Sequence, residues 1–271
     1  MTVRRRRYGR SGFGYTVDDT TGEFIKFPGV TKILGMMPRD ALVKWAAEAT
    51  ADYAINNWHD LETVPWADRL KRLYGARYQI SNPAAHRGTE VHKYADMLVS
   101  DEPINMDEVP QELRGYVEAY RGFCDTIEPA ALVGGTELVV ASRTHRYCGT
   151  ADLVADLPDV ICDRELIPAG RWLLELKTTG KGIYPESALQ ACAYSRADVF
   201  VHPDNPDDER PMDWLKIEHC GAVWIKSDDW ELRPLDTGPE VWETFLQLRR
   251  LYDLDDSGGL RAWVSSPATV R

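Results

Sequence analysis

The sequence predicts an α/β protein, a central sheet flanked by helices with a helical N-terminal elaboration. Three observations carry this. Amphipathic helical patterns fill the chain up to Glu128, four short apolar runs bounded by turn residues follow between Thr136 and Thr178, and helical and strand patterns alternate after that. Residues 1–130 read as a hairpin and helical region, and 131–271 as the sheet-bearing core with a C-terminal helix, packed as one compact unit.

Taken in order, Gly14-Tyr15-Thr16-Val17 and Phe24-Ile25-Lys26-Phe27 read as hairpin strands around a turn from Asp18 to Gly22. Pro38-Arg39-Asp40 opens a helix ending near Trp58, with Leu42, Trp45, Ala46, Ala49 and Tyr53 on one face. Further helices are predicted over 66–74, 83–99 and 110–126. In the last of these Tyr116, Tyr120 and Phe123 recur at helical spacing, as core residues do. Strands are predicted over 136–141, 148–156, 160–163 and 172–178, with a helix from Pro185 to near Phe200. A Pro- and Asp-rich loop over 202–211 separates that helix from strands over 222–226 and 231–233 and a last helix over 239–254.

With 271 residues, 44% hydrophobic and 28% charged, the chain can bury a full core. No apolar run reaches the length of a membrane span, and none follows the basic start as a signal peptide requires, so a cytosolic protein without a membrane partner is expected. The five cysteines, Cys124, Cys148, Cys162, Cys192 and Cys220, are scattered without a Cys-x-x-Cys pair, which argues against disulfides and structural zinc. The net charge of −11 repels a polyanion on average, so a nucleic-acid partner would need a local basic surface. Candidates are Arg4 to Arg7 with Arg10, which read equally as a solvated tail, and Arg69, Lys71, Arg72, Arg77 and Arg87. Asp204, Asp207, Asp208 and Glu209 read as solvated loop surface.

Glu175-Leu176-Lys177 ends the apolar run Trp172-Leu173-Leu174. Strand side chains alternate, so Glu175 and Lys177 share a face and Leu176 takes the other. By itself such a pair reads as a solvated strand-edge ion pair. With Asp152, from Gly149-Thr150-Ala151-Asp152, on a neighbouring strand, two carboxylates and a lysine would converge. That set suits a hard divalent cation and a water held against a phosphodiester. Gln190 and Tyr194, four apart, share one face of the following helix.

This ordered set of Asp152, Glu175-x-Lys177 and Gln190-x-x-x-Tyr194 resembles the RecB-like branch of the PD-(D/E)XK nuclease superfamily. The segment Arg87-Gly88-Thr89-Glu90-Val91-His92 is similar to the branch's Gly-x-x-x-His element, and the stretch from Val30 to Leu34 on through Trp45-Ala46-Ala47 is similar to the start of phage-encoded members. The resemblance implies a restriction-endonuclease-like core with a mixed central sheet, and a Mg²⁺- or Mn²⁺-dependent DNA exonuclease serving phage recombination or replication, with DNA and a recombination or replication protein as partners. It implies that His92, Asp152, Glu175 and the Leu176 carbonyl hold the metal and that Lys177 positions or deprotonates the attacking water. Gln190 would orient Lys177 or the water, and Tyr194 would touch DNA or buttress its helix. Glu137 stands where relatives often carry a glutamate; it reads either as a site residue or as a structural acceptor. Some relatives clamp an iron–sulfur cluster with three cysteines near the C-terminus; here no cysteine follows Cys220, so no cluster is expected. Two rivals remain: a silent nuclease fold binding DNA or protein, and a nuclease active only inside an assembly with a basic protein.

Overall fold

The computed structural model describes residues 3–7, 13–18, 24–128, 130–180, 182–203 and 205–264. Strands β1 (Val3–Arg7), β2 (Phe13–Asp18) and β3 (Phe24–Phe27) form a small antiparallel sheet. The expected hairpin is its β2–β3 pair, while its turn over 19–23, like Arg10 and Asp204, lies outside the described residues. Arg4 to Arg7 belong to β1, paired with β2, and are not a tail. Beyond β3, Cys148 N–H donates to the Pro28 carbonyl at 3.1 Å, and Gly29 bridges Cys148. This delivers the short helix α1 (Val30–Ile33) to the heart of the molecule, where Val30 and Ile33 are fully buried.

Helices α2 (Asp40–Asn56), α3 (Trp58–Glu62), α4 (Trp66–Val99) and α5 (Gln111–Ile127) follow. The inward face of α2 is narrower than its pattern promised: Ala49 is buried and Trp45, Ala46 and Tyr53 half-buried, but Leu42 is exposed. The two helices expected over 66–74 and 83–99 are one. Pro83 lies within α4, exposed to solvent, where water can satisfy the carbonyl left without a partner. Leu73 and Ala76 before Pro83, and Val91, Tyr94 and Ala95 after it, all turn inward, so packing carries the helix through the proline.

Among the described residues, seven strands form a mixed sheet in the order β10-β9-β4-β5-β8-β11-β12. These are β4 (Ala130–Ser142), β5 (Tyr147–Leu157), β8 (Gly170–Lys177), β9 (Val199–His202), β10 (Asn205–Pro211), β11 (His219–Ile225) and β12 (Trp230–Pro234). Neighbours run antiparallel except β8 and β11, which are parallel. A hairpin of β6 (Val160–Cys162) and β7 (Glu165–Ile167) links β5 to β8. Helix α6 (Glu186–Ser195) stops before Phe200, which the sequence placed near a helix end and which lies in β9. The segment expected as a loop over 202–211 contains β10, held to β9; Glu209 pairs with Arg143 and Asp208 with Arg210, so acidic composition hid a strand. Helix α7 (Pro239–Asp256) closes the fold.

The strand alternation sorts the core into two layers. Leu173 packs with Leu189 and Ala191 of α6, Phe245 of α7 and Val30 of α1. Trp172, Leu174 and Leu176 pack on the other face with Leu113, Val117, Tyr120 and Phe123 of α5, and Val91 of α4. Tyr120 and Phe123 are core residues, as their spacing indicates, with Tyr116 half-buried beside them. Arg171 forks onto Asp156 across the β5–β8 pair at 2.8 and 3.0 Å, fixing its register. Among the described residues, no helix is long and apolar enough to cross a membrane.

Close approach of α6 to β5 depends on Gly149. A Cβ there would stand 2.1 Å from Cε1 of the Tyr194 ring, which is itself buried. Gly149→Ala must displace that ring or part helix from strand. We expect a loss of about 1–3 kcal/mol in urea unfolding, the usual cost of overpacking; unchanged stability would mean that the ring is free to move aside.

Candidate metal centre

The site lies at the C-terminal end of β8, between α4 on one face of the sheet and α6 on the other. The β5–β8 pairing ends at Leu153 opposite Leu174, and beyond it a side chain takes over from the backbone. Leu176 N–H donates to Asp152 Oδ2 at 2.7 Å. The carbonyl of the same residue lies 3.2 Å from His92 Nε2, which donates to it in that tautomer. Nδ1 is then the ring atom that faces the carboxylates, 3.5 Å from Asp152 Oδ1 and 3.7 Å from Glu137 Oε1.

Glu137 therefore belongs to the cluster. It lies across β4–β5 from Asp152, since its neighbours Thr136 and Leu138 pair with Leu153 and Ala151. Its backbone takes φ +50°, left-handed territory that a glutamate enters at a cost, and the ladder slips just before it, between Ala131 and Thr136. His92, Glu137 and Asp152 offer ligand atoms within 4.8 Å of one another, the one such group of His, Cys, Asp and Glu among the described residues.

Glu175 stands behind this trio. Its carboxylate is 1% exposed; Oε2 accepts from Lys177 Nζ at 3.0 Å and from Gln190 Nε2 at 2.6 Å. Oε1 is equally buried and has no hydrogen-bond partner. Gln190 also accepts from Lys177 Nζ at 3.1 Å and donates to the Tyr194 hydroxyl at 3.2 Å. Spacing of four on α6 thus locks one amide against glutamate, lysine and tyrosine together.

Electrostatics follow from burial. Asp152 is pushed above the usual carboxylate range by burial, with Glu137 adding repulsion and His92 and Lys177 opposing. Burial, then the Asp152 charge, raises Glu175 to about 8. Burial would lower His92, but Asp152 and Glu137 outweigh it and lift the ring to about 9. Lys177 is likewise raised, since Glu175 and Asp152 overcome its burial. It stays an ammonium, which favours positioning and charge stabilisation over proton abstraction.

The donor set fits a hard divalent cation. Carboxylate oxygens and one imidazole nitrogen converge in the trio; Glu175, expected as a ligand, lies outside that group, although its unpartnered Oε1 is an acceptor left open. The Leu176 carbonyl keeps a second lone pair. A cleft of about 440 Å³ opens onto the trio, lined by Gly29, Thr31, Thr89, Asp96, Gly149 and Tyr194 among others. A second hollow of about 260 Å³ reaches Lys177 and Gln190 from the other side and shares Thr31. Asp96 was missed in the sequence, although it follows His92 by one helical turn, a spacing that puts both on one face. No protein-family model matches the chain, and no curated protein matches it in sequence.

Raised values for an acid and for a histidine make opposite demands on chemistry but agree on stability. Glu175, ordinarily near 4.5, costs the fold progressively as pH rises towards about 8. His92, ordinarily near 6.5, contributes stability below that value and loses it as pH rises through about 9. The metal-free protein should therefore melt lower at about pH 9 than at about pH 6, and saturating Mg²⁺ should raise the melting temperature more at the higher pH, where fewer protons compete. An equal Mg²⁺ shift at both pH values would remove these two groups from the ion site.

Proposed function

We propose that this chain is a divalent-metal-dependent DNA nuclease of the RecB-like branch of the PD-(D/E)XK superfamily, with a restriction-endonuclease-like core. The observation that carries the reading is the meeting of His92 from α4, Glu137 from β4 and Asp152 from β5 beside the Glu175–Lys177–Gln190 network. The mixed sheet flanked by helices is compatible with such a core. A role in phage DNA recombination or replication rests on the sequence resemblance alone.

His92, Glu137, Asp152 and the free oxygen of Glu175 would hold Mg²⁺ or Mn²⁺, with the Leu176 carbonyl available beside them. When bound, such an ion supplies Lewis-acid polarisation of a phosphoryl oxygen and a more acidic water. The chain's own groups do the rest. Lys177, held between Glu175 and Gln190, offers N–H donors towards an attacking water or a developing phosphorane charge. Gln190 fixes the lysine, and Tyr194 fixes Gln190 while lining the cleft. The left-handed turn at Glu137 places its carboxylate beside Asp152 where a regular strand would hold it elsewhere. One observation favours an assembly-dependent form of the same activity: the net charge of −11 suits a basic protein partner that would draw DNA in.

Purified protein with Mn²⁺ should degrade linear DNA, stop with chelator, and leave a closed single-stranded circle intact. Lys177→Ala should lower cleavage by about 10²-fold or more while DNA binding persists, the scale for lost electrostatic or proton-transfer help. Undiminished cleavage in chelator would falsify the metal reading, and cutting of the circle at the linear rate would make the enzyme an endonuclease.

A further inference from the structure

We infer that the N-terminal half of α4 is a track for an unpaired DNA strand, on which Tyr74 and Tyr78 stack bases and Lys71 and Arg77 hold phosphates, leading the strand into the metal centre. The inference rests on the nuclease reading and adds to it a substrate form and the residues that select it.

The first observation is helical phase. Thr89, His92 and Asp96 of α4 line the cleft at the trio. Lys71, Tyr74 and Tyr78 each stand eighteen residues before one of them, which is about five complete turns, or about 27 Å along the axis. The cleft wall therefore continues along the helix with the same face outward. Phase is kept through Pro83, because Leu73 and Val91, and likewise Ala76 and Tyr94, are eighteen apart and all turn inward. Between the two triplets the stripe carries small residues, Ser81, Ala85 and Gly88, over which a strand can pass.

Exposure is the second. Tyr74 is 71% and Tyr78 49% exposed, high for aromatic rings in a protein whose other helical tyrosines are buried, as Tyr120 is, or half-buried, as Tyr116 is. They are one turn apart, about 6 Å along the axis, so both rings can serve successive bases of one strand. The guanidinium of Arg77 lies 4.7 Å from the Tyr78 ring centre and donates to its hydroxyl at 2.7 Å, so cation and ring form one unit.

Charge is the third. Between Asp68 and Glu90 the chain holds five basic residues, Arg69, Lys71, Arg72, Arg77 and Arg87, and no acidic one, although the whole carries −11. Not all five are available: Arg69 reaches back to the carbonyls of Glu62 and Val64, and Arg87 lies over Tyr116. Lys71, Arg72 and Arg77 remain outward. Exposed rings interleaved with cations are the chemistry of a sequence-indifferent single-strand site, since every base has a face to stack and every nucleotide a phosphate; paired bases present no free faces.

The test is anisotropy of a labelled oligothymidylate of about twenty nucleotides, in chelator so that nothing is cut, together with Mn²⁺-dependent hydrolysis of bis(4-nitrophenyl) phosphate, which is too small to need a track. The double variant Tyr74→Ala/Tyr78→Ala should bind the oligonucleotide at least about 10-fold more weakly, given the usual scale of base–aromatic stacking. Its melting temperature and small-substrate hydrolysis should match the wild type. Tyr74→Phe/Tyr78→Phe should restore binding, and Lys71→Ala should reduce the salt slope by about 0.7. Unchanged oligonucleotide affinity in the alanine double variant overturns the track. So does an altered sedimentation coefficient of that variant with DNA affinity intact, which would make the face a protein contact. If the wild type with Mn²⁺ cleaves neither the oligonucleotide nor the small phosphodiester, yet the double variant loses oligonucleotide binding in chelator, the track stands and the nuclease reading falls.

Discussion

Leu176 gives its N–H to Asp152 and its carbonyl to His92, and the candidate centre is organised around the backbone of that one residue. A residue in a sheet normally spends its backbone N–H and C=O on neighbouring strands. Here the N–H meets a carboxylate from β5 and the carbonyl an imidazole from α4. The same strand turns Glu175 and Lys177 to the opposite face, where α6 meets them. A single strand end thus anchors both halves of the site, and each half inherits the rigidity of the sheet.

Assembling these groups raises a difficulty that the fold answers only in part. Glu137, Asp152 and Glu175 are acids held close together, Glu175 out of water and Asp152 largely so, and such groups resist shared ionisation. Lys177 and His92 offset the repulsion, with Gln190 adding its hydrogen bonds, yet Glu175 keeps an oxygen without a donor. The left-handed backbone of Glu137 adds a second unfavourable feature at the same spot. Local costs that agree in position are what the proposed ion site would explain, since a divalent cation held by His92, Glu137 and Asp152 would remove the repulsion among them.

Much of this was legible in the sequence because it follows from short periods. Alternation put Glu175 and Lys177 on one side, and a spacing of four put Gln190 and Tyr194 on one helical face; the hydrogen bonds among them are as that arithmetic requires. What escaped depends on longer distances or on competition between signals. Glu137 could not be assigned, because its place beside Asp152 depends on a register slip and a backbone angle that no pattern announces. Pro83 read as a helix boundary, yet packing on both sides of it outweighed one lost hydrogen bond. Proline and aspartate concealed β10, an edge strand where such residues do least harm. Tyr74 read as the end of one helix, and Tyr78 fell between two, until the unbroken helix aligned them with His92 and Asp96.

The proposed centre stands on one cation drawing together the groups around Leu176. Diffraction from crystals grown with Mn²⁺, recorded to give its anomalous signal, measures this directly. The account requires a peak in contact with His92 Nδ1, Asp152 and Glu137, at about 2.0–2.3 Å from the nitrogen, with Glu175 Oε1 turned towards it or towards its water. A peak elsewhere, or none at saturating Mn²⁺ with His92 still facing both carboxylates, would contradict it.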